Sequence, residues 1–122
     1  MSPFGTMTLG ELIDAISAAA PSKSVSFDFY RMSPTELRSY RGYYEHLAVG
    51  FSEAGQKDAV DFLEQLMGAV GSTFEGYKGG SYRMTRDTPV WVANLGDCRD
   101  TGIVGVQITE FEVILQTARC SL

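Results

Sequence analysis

The spacing of apolar residues predicts two amphipathic helices. Near the start of the chain, apolar residues recur at intervals of three and four residues. These positions are Leu9, Leu12, Ile13, Ile16 and Ala20. Thr8 and Glu11 have the spacing of a capping box, and Pro21 is expected to end the helix. A second helix is predicted over residues 58–70, with Asp58 as its N-cap and Gly71 closing it.

Alternation of apolar and polar residues predicts the strands. Residues 24–30 alternate cleanly, and residues 43–51 alternate again with Tyr43 and Leu47 on one face and His46 on the other. Residues 31–42 are predicted to be a loop, with a helical turn from Pro34. Further β-runs are predicted at 73–77, 81–84, 89–95, 103–108 and 111–115. The apolar parity changes after Ile108, which requires a bulge or tight turn at residues 109–110.

The order of these elements predicts the fold class. The predicted order is helix, strands, helix, strands, which lacks the regular alternation of βαβ units. We therefore expect an α+β fold in which two helices pack on an antiparallel sheet of about six strands. At 122 residues the chain is expected to form a single domain, residues 1–122. It has no long apolar run and no signal-peptide pattern at its start, so the expected localisation is cytoplasmic.

Charge and motif content disfavour several functions. A formal net charge of −5 speaks against a dedicated binder of duplex nucleic acid or of an anionic membrane. Two cysteines and one histidine cannot form an ordinary zinc site, so no metal or cofactor is expected. Standard catalytic motifs are missing, and His46 is expected to be a packed or surface strand residue. Paired carboxylates among Glu75, Asp87 or Asp97 leave acid–base chemistry open, but an enzyme is disfavoured.

Two segments, residues 39–44 and 74–83, are rich in aromatic and basic residues. Arginine can bind phosphate through a planar fork of donors, aromatic rings stack on bases, and paired glycines let backbone N–H groups approach an anion. Asn94 adds an amide inside an apolar run, where it either caps a turn or contacts a base edge. The simpler alternative is an ordinary sheet, because tyrosines favour strands and Lys-Gly-Gly is a good hairpin turn without any ligand.

With these residues in view, the chain resembles the first type of Thoeris anti-defence proteins, a family of phage "sponges". The matching blocks are VSFDF at 25–29, SYRGYY at 39–44, FEGYKGG at 74–80 and TPVWVAN at 88–94. The resemblance implies a non-enzymatic protein of the infected bacterial cytoplasm. Such a protein sequesters the glycocyclic ADP-ribose signal of a TIR enzyme, and in some members also cyclic trinucleotides. It further implies a homo-oligomer, expected to be a hexamer, with pockets shared between subunits.

The resemblance also suggests site residues. In such sponges an aromatic face, an arginine and an asparagine hold the adenine, and arginines hold the phosphates. Asn94 fits the asparagine role. The full set of candidate ligand-binding residues is Arg41, Tyr43, Phe74, Tyr77, Lys78, Tyr82, Arg83 and Asn94. The alternatives are a small phage structural or assembly protein without a ligand, a hydrolase of a signalling nucleotide, and a single-strand nucleic-acid binder, which the net charge disfavours.

Overall fold

Two helices and eight strands make up the described part of the chain. The computed structural model describes residues 1–29, 32–41, 43–53, 55–76, 78–93 and 100–120. The helices are α1 (Leu9–Ser17) and α2 (Ala59–Ala69). The strands are β1 (Ser24–Phe27), β2 (Ser33–Tyr40), β3 (Tyr43–Ser52), β4 (Thr73–Glu75), β5 (Ser81–Arg83), β6 (Val90–Val92), β7 (Thr101–Ile108) and β8 (Glu112–Arg119).

Six of these strands form one mixed sheet in the order β1-β8-β7-β6-β3-β2, and β4 and β5 form a separate hairpin. Strand β1 runs parallel to β8 and β3 runs parallel to β6, whereas the other neighbours are antiparallel. The two outer strands approach each other, because the Phe27 N–H donates to the Met32 carbonyl at 2.7 Å just before β2. The sheet therefore curls until it is nearly closed into a barrel.

The predicted α+β class, with two packed helices, is confirmed, but the expectation of a purely antiparallel sheet is wrong. Parallel pairing joins β1 to β8, with Val25 opposite Val113, and β3 to β6, with Leu47 opposite Val90. These partners lie far apart in sequence. Local alternation indicates that a strand exists but carries no information about which distant strand becomes its neighbour.

The predicted loop and helical turn over residues 31–42 are also wrong, because β2 occupies Ser33–Tyr40. Strand β2 lies at the edge of the sheet and pairs with β3 alone, through an irregular register between Pro34 and Leu37. Proline is tolerated at such a position, since an edge strand can leave one N–H direction unused. The bulge also breaks the two-residue period by which the strand could have been recognised.

Both helices begin where predicted, but α1 ends at Ser17, so Ala20 lies outside the helix and Pro21 is not the residue that ends it. The Thr8 hydroxyl accepts from the Glu11 N–H at 3.2 Å, and the Glu11 carboxylate accepts from the Thr8 N–H at 2.9 Å, which confirms the capping box. Asp58 stands at the N-cap of α2, but its side chain makes no capping hydrogen bond. Gly71 follows α2 with a φ of 80°, a conformation that glycine adopts without strain.

The sheet has an apolar cluster on each of its faces. The main core joins both helices to one face, which presents residues such as Val90 and Val92. Trp91 lies between them in sequence, so its side chain points to the opposite face, where it packs with Tyr40 and Ala48. Phe4 covers this second cluster from the N-terminal segment. The short strand β6 is therefore buried on both sides.

Candidate functional site

A row of four aromatic rings lies on the sheet face opposite the main core. Tyr40 stacks on Trp91 with ring centroids 5.1 Å apart, and His46 follows Trp91 at 6.2 Å. Tyr43 stacks on His46 at 5.6 Å and forms the outer end of the row. Neighbouring planes are inclined by 12°, 5° and 22°, so the rings are close to parallel. Tyr40 with Trp91 and Tyr43 with His46 are stacked pairs, which fix ring orientation beyond the effect of burial. Trp91 and His46 lie side by side in nearly one plane, because a hydrogen bond between their ring edges joins them.

One hydrogen bond within the row fixes the state of His46. The Trp91 indole N–H donates to His46 Nδ1 at 3.1 Å, so the imidazole is neutral and carries its hydrogen on Nε2. Burial lowers the pKa of His46 below its ordinary value of 6.5, and the Glu45 carboxylate opposes this to a smaller extent. The residue is only 5% exposed. The prediction of a packed strand histidine is confirmed, and its Nδ1 lone pair is already occupied.

This buried histidine gives a testable pH dependence. Above pH 6.5 the imidazole is neutral in both folded and unfolded chains, but as the pH falls the unfolded chain takes up the proton first. The free energy of unfolding should therefore decrease from about pH 6.5 towards the lower folded pKa. Urea titrations at pH 7.5 and 5.5 measure the difference. His46→Gln keeps an acceptor for Trp91 but does not titrate, so an equally large decrease in this variant would contradict the assignment.

Tyr43 and Arg41 stand at the turn between β2 and β3. The Tyr43 side chain is 40% exposed with one ring face on His46, and Arg41, two residues earlier in the chain, is also exposed. The predicted placement of Tyr43 on the same face as Leu47 is wrong, because Leu47 lies in the main core. The register of β2 and β3 shifts beside the turn, and strict alternation fails there.

The hairpin β4–β5 carries the second candidate segment. Phe74 and Tyr82 are paired across the two strands and pack, half-buried, against the main core. Gly79 and Gly80 have φ values of 95° and 86°, which confirms the predicted glycine turn. Lys78 and Arg83 are exposed. Tyr77, also predicted to contact the ligand, lies outside the described residues.

The two candidate segments meet at one contact. The rings of Tyr44 and Tyr82 lie 5.7 Å apart at 40°, so the hairpin docks against the start of β3. A Cβ at Gly76 would come within 2.8 Å of the Tyr82 ring and 3.1 Å of the Tyr44 ring, which only glycine avoids. Sequence reasoning did not single out Tyr44 as the docking residue, because alternation alone cannot show which tyrosine faces a distant hairpin.

The predicted site residues thus divide into two groups. Arg41 and Tyr43 stand at the end of the aromatic row, whereas Phe74 and Tyr82 pack against the main core on the other side of the sheet. The tyrosines at positions 43 and 44 connect the groups, because they are consecutive in the chain. Asn94 lies outside the described residues. Of the aromatic candidates that the structure describes, Tyr43 is the most exposed.

Together, the fold and the site define a small α+β protein with an aromatic row beneath an exposed cationic turn. Comparison with protein-family models, with curated proteins and with solved structures found no match. Among the residues described, no group of three or more histidine, cysteine or acidic side chains is arranged to hold a metal ion. Neither described helix has the length and apolarity needed to cross a bilayer.

Proposed function

We propose that the protein binds a small, nucleotide-like anion and sequesters it without cleaving it. The glycocyclic ADP-ribose signal of TIR-based immunity is the first candidate ligand and a cyclic trinucleotide the second. The observation that carries this proposal is the exposed Tyr43 ring, held by stacking on His46 and placed two residues from Arg41. An aromatic ring and an arginine in the same turn suit a base joined to a phosphate.

The aromatic row supports the base-binding half of this proposal. A base that stacks on the open side of Tyr43 meets a ring whose orientation His46 and Trp91 already restrict. Little side-chain freedom is then lost on binding, which increases affinity. Stacking of a base on an aromatic side chain contributes about 1–3 kcal/mol. The ligand base would add one further plane to the stack of Tyr43 on His46.

Cationic groups near the turn support the phosphate-binding half. Arg41 can donate two parallel hydrogen bonds to a phosphate, while Lys78 acts as a point charge. Lys78 sits in the glycine turn of the hairpin that docks beside β3 through the Tyr44–Tyr82 contact. The positive φ values of Gly79 and Gly80 give this turn a backbone conformation suited to close approach by an anion.

Sequestration sets an affinity requirement. A sponge must hold the free signal below the threshold of its effector, and a nanomolar dissociation constant corresponds to about −12 kcal/mol. A half-open turn on one subunit encloses a small ligand poorly, so affinity of that order needs further contacts. A homo-oligomer, as the family resemblance implies, would supply them by covering the exposed side of Tyr43 with a second copy of the chain.

The state of His46 favours binding over catalysis. The imidazole is the only histidine side chain in the sequence, and its Nδ1 accepts the Trp91 N–H inside the second cluster. A general base needs a free lone pair within reach of the substrate proton. His46 instead stacks on Tyr43 and positions its ring.

Calorimetric titration with isomers of cyclic ADP-ribose, cyclic trinucleotides and linear ADP-ribose tests the proposal. We expect tight, saturable binding of at least one cyclic ligand, which heat denaturation of the complex then releases chemically intact. Release of an altered product would identify a hydrolase instead. Oligomerisation with no binding and no thermal stabilisation by any of these nucleotides would overturn the proposal and favour a structural or assembly protein.

A further inference from the structure

Helix α2 carries apolar residues on its outer side as well as on the side that it buries. Val60 is 39% exposed and Met67 is 56% exposed. Their positions are two helical turns apart, so they lie on one side of the helix, and the half-buried Leu63 lies between them. We call Val60, Leu63 and Met67 the outer stripe. Contiguous exposed apolar surface, unlike single scattered residues, is typical of an interaction site.

The outer stripe borders a groove between α2 and the end of α1. The groove measures about 130 Å³, and its described lining residues are apolar except for Ser17. Ile16, Ala19 and Pro21 line one side, and Ala59, Val60 and Leu63 line the other. Small-molecule sites usually measure about 300–1,000 Å³. The groove is therefore suited to an apolar side chain of a larger partner rather than to a free ligand.

The helices around this groove carry negative charge only. Neither α1 nor α2 contains a lysine or an arginine. On α1, Asp14 pairs with Arg86 at 3.0 Å. On α2, Asp61 and Glu64 are exposed, and in the described part of the chain neither side chain makes a hydrogen bond or an ion pair. Glu64 follows Val60 by one turn, so it lies on the same side of the helix as the outer stripe.

The lysines that flank the helices do not neutralise these carboxylates. Lys57, just before α2, donates to Gln65 Oε1 at 3.1 Å, and Lys23 donates to the Thr109 carbonyl. Among the described residues that line the groove there is no lysine or arginine. A partner with positive charges beside its apolar side chains would supply the missing counter-charges.

The same charges argue against a second copy of this chain as the occupant. The outer stripe is centred between residues 63 and 64, so two copies packed stripe to stripe would bring their Glu64 residues together. Like charges brought together in this way are destabilising. Nucleic acid and anionic membranes are disfavoured by the same negative charge.

We propose that the groove and the outer stripe dock a basic amphipathic helix of a partner protein. Apolar side chains of that helix fill the groove beside Leu63 and pack on Met67, and its lysines or arginines face Asp61 and Glu64. This is recognition of a helix in a groove. Methionine suits such a surface, because its unbranched side chain adapts to the shape of the partner. The surface shares no residue with the proposed nucleotide site, so the two functions are independent.

Fluorescence anisotropy with a labelled synthetic peptide tests this surface. The probe is an amphipathic helix of leucine and lysine, and its matched control peptide has glutamate in place of lysine. We expect the full chain to bind the leucine–lysine peptide saturably, with an affinity that falls as salt is added, and not to bind the glutamate peptide. Met67→Gln should weaken binding about tenfold through lost apolar contact, and Glu64→Gln about threefold through a lost ion pair.

Glu75→Gln is the matched control for charge, because Glu75 is an exposed carboxylate on the separate β4–β5 hairpin. This variant should bind the peptide like wild type. Met67 and Glu64 are exposed, so their variants are expected to fold, and urea titrations check this. The proposal is overturned if wild type does not bind the leucine–lysine peptide or if Met67→Gln binds like wild type. Equal losses in Glu75→Gln and Glu64→Gln would also overturn it, because they would indicate diffuse attraction to an acidic protein.

Light scattering of the protein alone separates a partner helix from a second copy. We expect the oligomeric state of Met67→Gln to be that of wild type. An oligomer that this substitution dissociates would show that a second copy covers the outer stripe, and the proposal would then be wrong.

Discussion

Trp91→Ala is expected to lower the free energy of unfolding by about 3–5 kcal/mol, the range for removing a fully buried large aromatic side chain. Trp91 has no exposed surface and lies in β6, which is buried on both faces. Its loss leaves a cavity, removes the stacking partner of Tyr40 and leaves His46 Nδ1 without its donor. A typical domain is stable by only about 5–15 kcal/mol, so this loss is a large fraction of the total free energy of unfolding.

Urea denaturation followed by circular dichroism measures this effect, because Trp91 is the sole tryptophan and the variant has no indole fluorescence. Trp91→Phe separates packing from hydrogen bonding. It keeps a ring in the row but removes the N–H, so we expect a smaller loss of about 1–3 kcal/mol. A loss below about 1 kcal/mol in Trp91→Ala would show that the second cluster contributes little to stability.

Arg41→Ala is expected to weaken binding of the captured nucleotide about 100-fold or more. Two charge-assisted hydrogen bonds to phosphate are lost together, and each contributes about 1.5–3 kcal/mol. Tyr43→Ala should weaken binding about tenfold or more through lost stacking. Calorimetric titration gives both affinities, and light scattering checks that the oligomeric state is unchanged.

Two further variants make the Arg41 result specific. Arg41→Lys keeps the charge but not the planar fork, so its affinity should fall between those of wild type and Arg41→Ala. Arg86→Ala removes an equal charge from an exposed arginine that pairs with Asp14 at 3.0 Å on α1, and it should bind like wild type. Equal losses in Arg86→Ala and Arg41→Ala would mean that net charge, rather than a site at the turn, controls binding.

Sequence pattern was sufficient for those elements whose stability is local. The capping box of α1, the extent of α2 and the glycine turn of the hairpin each depend on residues within a few positions of one another. The predicted apolar stripe of α2 is only partly buried, because Met67 is 56% exposed. The turn predicted at residues 109–110 is confirmed by the antiparallel pairing of β7 with β8 on either side of it. Strand β2 was missed, because Pro34 and a bulge conceal its period.

The candidate site, like the fold, could be predicted only where it depends on residues that are near one another in sequence. The two segments were selected by composition, and the Tyr44–Tyr82 contact does bring them together. The face of the sheet on which each ring lies could not be predicted, because a register shift at the β2–β3 turn places Tyr43 on His46. The aromatic row itself depends on Trp91 and His46 meeting from β6 and β3, strands that are distant in sequence and parallel in space.

The parallel pairing of β1 with β8 has a consequence for how the protein matures. Residues 24–27 pair with residues 112–115, so a large loop must close before this side of the β1 backbone is hydrogen-bonded. Chains dominated by such distant pairings fold slowly, on the scale of milliseconds to seconds. During synthesis Val25 and Phe27, the apolar residues of β1, are therefore without their β8 partners until residues 112–115 have left the ribosome.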